Sequence, residues 1–231
     1  MTSFEGIAAV GQTATFRGRL AIACAVTWLA AAPFSPAGAN GQAEEHLSPS
    51  VATVLSRAIS DRPVPADYAS RADVSRWTDA MTPQLVRRIP DADERRELLA
   101  TVHYEATRAG LDPQLVLGVI HHESGFKKYA VSVASARGYM QVMPFWTRLI
   151  GGAEHNLFHL RTNLRYGCVI LRHYLDRENG DLFRALGRYN GSLGRSEYPS
   201  AVAGAMQRYQ PVSTTTAMTG LPVALRVSGG R

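Results

Sequence analysis

Residues 112–126 read Asp-Pro-Gln-Leu-Val-Leu-Gly-Val-Ile-His-His-Glu-Ser-Gly-Phe, and this stretch decides the fold of the surrounding chain. Asp112 is a preferred N-cap residue, and Pro113 suits the first helical position, where its missing N–H costs nothing. The apolar run 115–120 then predicts a buried helix that ends near Glu123. A carboxylate placed after such a run is partly desolvated, which raises its pKa and makes Glu123 a candidate general acid.

Helical spacing of apolar residues continues on both sides of this stretch. A first helix is predicted from Asp91 to Ala109, where Gly110 stops it. Further helices are predicted from about 138 or 140 to 150, and over 162–178, 181–190 and 199–209. No segment shows sustained strand alternation, so we expect residues 91–210 to form one mainly α domain.

The first 39 residues have the composition of a targeting segment. Arg17 and Arg19 precede the apolar run 20–32, and Ala37-Gly38-Ala39 offers the small residues of a cleavage site. Residues 1–39 are therefore predicted to be a signal peptide that is removed before Asn40, which makes the protein exported and periplasmic or cell-wall associated. The apolar run ends at Pro33 and is shorter than the roughly 20 residues that a membrane span needs, so no stable span is expected after cleavage.

The segments that flank the predicted domain differ from it in composition. Residues 40–90 are rich in proline, and we expect a loosely ordered N-terminal arm with short helical pieces, one of them over 51–59. Residues 211–231 are rich in Ser, Thr and Gly and are expected to form a flexible tail. Once residues 1–39 are removed, Cys168 is the only cysteine, so we expect it to be a buried apolar residue rather than half of a disulfide.

The net charge of the chain does not by itself identify its partners. The formal net charge is +6 at pH 7. This charge suits an anionic polymer, but no run of clustered basic residues with interleaved aromatics indicates nucleic acid.

His121 and His122 point about 100° apart on a helix, and the spacing of two histidines four residues apart around a glutamate is missing. Neither a metal nor another cofactor is therefore predicted.

Three separated motifs give residues 111–199 a family resemblance. They are Glu123-Ser124 with Phe126, Gly138-Tyr139-Met140-Gln141 with Met143-Pro144, and Tyr189-Asn190, with Ala130 and Ser132 in register between them. In this order they resemble the soluble lytic transglycosylase domain, a lysozyme-like helical domain that cuts the glycan strands of peptidoglycan. The chain departs from the family pattern at three positions: Ser135 replaces a usual glycine, Tyr139 a usual leucine and Arg188 a usual alanine.

The resemblance implies a reaction for Glu123. It implies cleavage of the β-1,4 bond between MurNAc and GlcNAc, with Glu123 acting first as acid on the glycosidic oxygen and then as base on the 6-hydroxyl, which leaves a 1,6-anhydroMurNAc end. Most glycosidases use a second carboxylate, but no Asp or Glu follows Glu123 before Glu154. That absence favours the substrate-assisted exception, in which the N-acetyl group of the sugar stabilises the anomeric centre.

The resemblance also implies which residues bind the substrate. They are Ser124, Ser132, Gly138, Tyr139, Met140, Gln141, Tyr189 and Asn190. Ser132 is expected to hold the 6-hydroxyl or the N-acetyl group, and Tyr189 to hydrogen-bond and orient Glu123. The expected partners are peptidoglycan strands and a secretion or wall-remodelling complex. A hydrolytic muramidase on the same fold and an inactive glycan-binding or secretion-assembly module remain alternatives, and endo and exo cleavage stay open.

Overall fold

The structure, a computed structural model, describes residues 42, 44, 46–60 and 64–210, all of which belong to one compact unit. The predicted signal peptide, 1–39, and the predicted flexible tail, 211–231, lie outside the described residues. Eight α-helices occur in the described part of the chain. They are α1 Pro49–Ile59, α2 Ala72–Leu85, α3 Ala92–Arg108, α4 Pro113–Glu123, α5 Phe145–Ile150, α6 Leu160–Arg177, α7 Leu182–Asn190 and α8 Glu197–Gln207.

The mainly α class predicted from the sequence is confirmed. Pairing of β type within the described residues is limited to two isolated antiparallel bridges, Val131 with Arg137 and Arg137 with Val142. The helices predicted around 91–109, 162–178 and 181–190 begin and end within two residues of the observed α3, α6 and α7.

Short-range capping explains why the helices begin where they do. The carboxylate of Asp112 accepts a hydrogen bond from the Gln114 N–H at 2.7 Å, with Pro113 in the first turn. Asp91 and Asp181 cap α3 and α7 in the same way. Each cap provides an acceptor for an N–H group that has no partner inside the helix, which fixes the first turn.

Helix α4 forms the centre of the core. Its residues Leu115 to Ile120 are all buried, and it packs most extensively against α8. A Cβ atom at Gly118 would lie 3.0 Å from the carbonyl oxygen of Val202 on α8. The missing side chain of Gly118 therefore lets the two helices approach closely, and this approach brings the start of α8 to the end of α4.

The N-terminal arm differs from the expectation of a loosely ordered segment. The helix predicted over 51–59 is present as α1, and a second, 14-residue helix, α2, follows it. Leu55 and Ile59 of α1 and Met81 and Leu85 of α2 are buried in the same core as α4. Pro49 does not interrupt α1, because it occupies the first helical turn, where its missing N–H has no partner to lose.

The helix predicted from about residue 138 to 150 is wrong in its first half. Only Phe145–Ile150 are helical, because Gly138 and Gln141 adopt left-handed backbone conformations with φ of 74° and 48°. An α-helix of L-residues needs negative φ, so these two residues form a turn instead. The last helix, in turn, begins at Glu197 rather than Pro199, which places Tyr198 inside α8.

Cys168 lies in the middle of α6 and is fully buried. Burial raises the pKa of its thiol well above the ordinary value, which removes the reactive thiolate form at neutral pH. The prediction that Cys168 serves as a small apolar core residue is confirmed.

Candidate active site

Glu123 is the last residue of α4 and is only partly exposed. Desolvation by the surrounding protein raises the pKa of its carboxyl to about 7, against a hydrogen bond from Tyr198 that lowers it. The carboxyl therefore holds its proton over much of the neutral range, as a general acid must. Burial dominates because it disfavours the charged form more than one hydrogen bond favours it.

Tyr198 is the residue that orients this carboxyl. Its buried hydroxyl donates a hydrogen bond of 2.6 Å to Oε1 of Glu123, and its ring packs edge to face against His122, with 4.9 Å between ring centroids. The sequence reasoning missed Tyr198 because it placed this tyrosine before the last helix. The only available signal was an aromatic residue with a polar end at the start of a helix, which does not identify its partner.

Tyr189 does not hydrogen-bond Glu123, and the expected orienting contact is wrong. The Tyr189 hydroxyl instead donates to the carbonyl oxygen of Met140 at 2.8 Å. The side-chain oxygen of Asn163 accepts from the Met140 N–H, also at 2.8 Å. The peptide groups on both sides of Met140 are thus held by buried side chains from α6 and α7, and Asn163 is a second residue that sequence reasoning missed.

The loop 130–142 carries several of the predicted binding residues and is held in shape by hydrogen bonds between its own residues. The side-chain amide nitrogen of Gln141 donates to the carbonyl oxygens of Ala130 and Gly138, at 3.1 and 3.0 Å. The Ser132 hydroxyl accepts from the Ala136 N–H at 3.1 Å. Gln141 is buried while Ser132 is partly exposed, so the first shapes the loop and the second is accessible from outside.

Three other predicted binding residues are also tied to local structure. The Ser124 hydroxyl donates to the carbonyl oxygen of Ile120 and accepts from the Phe126 N–H, which ends α4. Tyr139 is buried and its hydroxyl reaches Glu94 on α3 at 3.4 Å. Asn190 is partly exposed and donates to the Ser192 hydroxyl at 2.9 Å. Tyr139 and Ser124 therefore lie beneath the surface, whereas Asn190 reaches it.

The two histidines before Glu123 point in different directions, as their spacing predicts. His121 shares hydrogen bonds with the Tyr209 hydroxyl at 2.6 Å and with Arg88 at 3.1 Å, while His122 faces Tyr198. Burial, with help from nearby cations, lowers the pKa of His121 to about 4, so it is neutral at pH 7. Among the described residues, no group of three or more His, Cys, Asp or Glu side chains is arranged to hold a metal ion.

Residues 100–209, which carry Glu123, Tyr198 and the loop 130–142, match the family model described as "Transglycosylase SLT domain". This part of the chain is similar to the transglycosylase SLT family. The match confirms the family resemblance expected from the three motifs, and the observed helices confirm the mainly α class.

Curated relatives of the SLT domain carry matching names. The chain is 45% identical over 115 residues to membrane-bound lytic murein transglycosylase C of Haemophilus influenzae, across 43% of this chain and 32% of the relative. It is 33% identical over 98 residues to the transglycosylase of Enterobacteria phage PRD1, across 42% of this chain and 36% of the phage protein. This chain thus spans about a third of the length of these two relatives.

A solved structure with a similar chain is that of an inactive mutant of the lytic transglycosylase Slt from Pseudomonas aeruginosa. The likeness covers 62% of this chain and 28% of the Slt chain, at 22% sequence identity and a TM-score of 0.40.

Proposed function

We propose that the protein is a peptidoglycan lytic transglycosylase that cleaves the β-1,4 bond between MurNAc and GlcNAc and leaves a 1,6-anhydroMurNAc end. The observation that carries the proposal is the Glu123 carboxyl, which has a pKa of about 7 and is held by Tyr198. This carboxyl lies in the segment that matches the SLT domain model. A protonated acid at a partly exposed position can donate to a leaving oxygen at neutral pH.

Glu123 acts first as general acid in this proposal. It gives its proton to the glycosidic oxygen as the bond to the anomeric carbon breaks, and the hydrogen bond from Tyr198 stabilises the carboxylate that remains. A charge-assisted hydrogen bond of this kind is stronger than one between neutral groups. Tyr198 therefore helps the step in which the negative charge appears.

The same carboxylate then acts as base. It accepts the proton of the 6-hydroxyl of the muramic acid, whose oxygen closes the ring at the anomeric carbon. Glu154, the next acid in the sequence, is an exposed residue beside His155 and is not in contact with Glu123. The proposal relies on the N-acetyl group of the substrate and on the high effective concentration of a hydroxyl on the same sugar.

The predicted binding residues divide into two groups by burial. Ser132 and Asn190 are partly exposed, and we assign them direct contact with the sugar. The others are buried and are proposed to shape the groove from below; they are Ser124, Gly138, Tyr139, Met140, Gln141 and Tyr189. Backbone groups of the loop 130–142 complete the proposed binding surface.

Analysis of the products tests the reaction. Purified peptidoglycan digested by the protein should yield fragments that end in anhydroMurNAc, as measured by mass spectrometry. Fragments heavier by one water, with no anhydro sugar, would instead indicate a muramidase. Release of no fragments at all, with glycan binding retained, would indicate an inactive binding module.

A single substitution tests the role of Glu123. Glu123→Gln removes the proton donor but keeps the acceptor for Tyr198, so lysis of purified walls should be lost while the fold is kept. Glu154→Gln is the matched control, because Glu154 is an exposed acid outside the proposed site. Undiminished turbidity loss with Glu123→Gln would refute the assignment.

Export belongs to the same proposal, because peptidoglycan lies outside the cytoplasmic membrane. We propose that residues 1–39 direct export and that cleavage precedes Asn40, and N-terminal sequencing of the exported protein tests this. Within the described residues, none of the helices is both long enough and apolar enough to cross a bilayer. A secretion or wall-remodelling complex is the proposed setting, which co-purification of the exported protein from cell envelopes tests.

A further inference from the structure

Arg88 is an exposed residue of the N-terminal arm whose side chain contacts the end of α4. It follows α2 and lies outside the segment that matches the SLT domain model. Its Nη2 lies 3.1 Å from Nε2 of His121, and a Cβ atom at Gly125 would lie 3.7 Å from its Nη1. The guanidinium of Arg88 therefore lies against the chain on both sides of Glu123.

The backbone that carries Arg88 is itself held in place. Ile89, the next residue, is buried. Arg95 of α3 is also buried, and its Nη1 donates to the carbonyl oxygens of Ile89 at 2.6 Å and Pro90 at 3.1 Å. Because a buried guanidinium fixes the segment between α2 and α3, the position of Arg88 relative to the core is fixed as well.

The hydrogen bonds of His121 run in one consistent direction. A guanidinium can only donate, so Nε2 of the neutral imidazole accepts from Arg88 and the ring proton lies on Nδ1. Nδ1 then donates to the Tyr209 hydroxyl at 2.6 Å. Tyr209 is buried and comes directly after the C-cap of α8, the helix that carries Tyr198. The two hydrogen bonds thus link the arm, the last turn of α4 and the end of α8.

Phe126 is held by the same side chains. Its ring lies edge to face against those of His121 and Tyr209, with centroid separations of 6.1 and 6.0 Å, and the guanidinium of Arg88 lies 5.9 Å from its centroid. Phe126 has a φ of 71°, a left-handed conformation that is unfavourable for a bulky residue and persists only while its surroundings hold it. The four side chains form one unit, the Arg88 cluster: Arg88, His121, Phe126 and Tyr209.

We propose that Arg88 is a positioning residue of the active site, one that holds the segment 121–126 so that Glu123 stays in contact with Tyr198. This inference rests on the proposed function and assigns a role to the N-terminal arm. The Arg88 cluster holds the chain before and after Glu123, and Tyr209 ties it to the end of the helix that carries Tyr198. A small displacement of a catalytic group lowers the rate of the chemical step more than it lowers stability.

Substitution of Arg88 in the full chain tests the assignment. Arg88→Met keeps much of the apolar stem but cannot donate to His121. We expect kcat on purified peptidoglycan to fall about 10-fold, with little change in apparent KM. Arg87→Met is the matched control, because Arg87 is an exposed neighbour of equal charge whose side chain forms no hydrogen bond or ion pair within the described residues. It should leave kcat unchanged.

The tautomer of His121 is a readout that a general loss of stability does not change. The NMR shifts of its ring nitrogens at neutral pH should show the proton on Nδ1 in the wild type. In Arg88→Met the Nε2 acceptor loses its donor, so the population with the proton on Nε2 should increase. A wild-type chain whose His121 carries its proton on Nε2 would overturn the inference.

Two further variants separate positioning from simple stabilisation. Leu55→Ala removes a buried apolar side chain of α1 that is not part of the Arg88 cluster. It should lower the melting temperature without lowering kcat at temperatures where the variant is folded. Tyr209→Phe removes the acceptor of the His121 proton. Because Tyr209→Phe and Arg88→Met act on one network, their combination should lower kcat by less than the product of the two single effects.

The outcomes distinguish this inference from the proposed function. A wild-type kcat for Arg88→Met, with anhydro products formed normally by both proteins, would overturn the role of Arg88 and leave the function standing. An equal loss in Arg87→Met, or independent losses in the double variant, would overturn it as well. If the wild-type chain released no product from peptidoglycan, the proposed function would fail and this inference with it.

Discussion

The pKa of the Glu123 carboxyl follows from its position at the end of α4. The apolar residues of α4 carry the carboxyl to the margin of the core, where it loses most of its water but keeps a path to the surface. The consequence is a pKa near 7. A carboxyl with this pKa can exchange a proton in both directions near neutral pH, which a residue acting as acid and then as base requires.

The pKa of Glu123 predicts a dependence of stability on pH. In the folded chain the value is about 7, above the 4.5 of an ordinary glutamate. Between these values the folded state binds more protons than the unfolded state, so the free energy of unfolding decreases as pH rises from 4.5 to 7. Glu123→Gln should therefore raise the free energy of unfolding near pH 8 by about 2 kcal/mol, and by almost nothing near pH 4.

Urea unfolding of the wild type and of Glu123→Gln at these two pH values measures this difference. An equal difference at both values would mean that the carboxyl titrates normally in the folded chain.

Tyr198→Phe is predicted to change the pH profile of activity. The Tyr198 hydroxyl lowers the pKa of Glu123 by stabilising its charged form, so its removal should move the fall in activity at high pH to a higher pH. The rate should also decrease by about 10-fold, because the carboxyl loses its orienting contact. Initial rates of wall lysis across the pH range provide the measurement.

Tyr68→Phe is the control for this experiment. It removes a comparable tyrosine hydrogen bond, to His103, which involves neither Glu123 nor Tyr198. A high-pH limb that shifts equally in both variants would contradict the specific role of Tyr198.

At the scale of elements, the proposed binding surface depends on how closely α6 approaches the loop 130–142. A Cβ atom at Gly167 would lie 2.3 Å from the sulfur of Met140, a distance that forces Met140 to move. Asn163, one turn earlier on the same helix, holds the Met140 N–H. Helix α6 therefore sets both the depth and the register of the loop.

Gly167→Ala should for this reason lower both stability and activity. We expect overpacking to lower the free energy of unfolding by about 1–3 kcal/mol. The rate of lysis should be lower than that of the wild type even at temperatures where the variant is fully folded. Gly204→Ala is the matched control, because nothing lies within 4 Å of a Cβ atom at this position of α8. There the better helix propensity of alanine should raise stability by up to about 1 kcal/mol. Thermal unfolding and lysis assays of both variants measure these differences, and equal results for the two variants would contradict the role of Gly167.

At the scale of the whole molecule, a buried ionic cluster joins the arm to the body. Glu105 of α3 is 1% exposed and pairs with Arg165 at 3.0 Å, Arg108 at 3.3 Å and Arg161 at 3.4 Å. Arg108 also donates to the carbonyl oxygen of Ala58, at the end of α1. The charge of Glu105 thus compensates the cations that bind the last turn of the arm helix.

Glu105→Gln is predicted to destabilise the molecule without altering the chemistry. It leaves the buried guanidinium of Arg165 and the partly buried ones of Arg108 and Arg161 without their anion, which costs about 3–5 kcal/mol. The rate of lysis should stay at the wild-type value at temperatures where the variant is folded, because Glu105 is not part of the proposed site. Glu97→Gln, at an exposed position of the same helix, should change neither quantity. A wild-type melting temperature for Glu105→Gln would show that the cluster is not stabilising.

Much of this protein was determined by the sequence alone. Asp112, Pro113 and the apolar run after them fixed α4 and the place of Glu123 at its end, because caps and periodicity act within a few residues. The ordered motifs predicted a resemblance to the SLT family, which the match over 100–209 confirms. The helix expected before Phe145 failed because the left-handed turn at Gly138 and Gln141 depends on a loop that closes on Ala130.

Only the tertiary structure decided which side chains meet at the site. Tyr198 reaches Glu123 across 75 residues because α8 packs closely on α4, whereas Tyr189 on α7 donates to Met140 instead. Gln42 reaches Trp146 across 104 residues for the same kind of reason. Local patterns specify backbone conformation and burial, but a hydrogen bond between distant residues depends on how whole helices are placed. No short stretch of sequence encodes that placement.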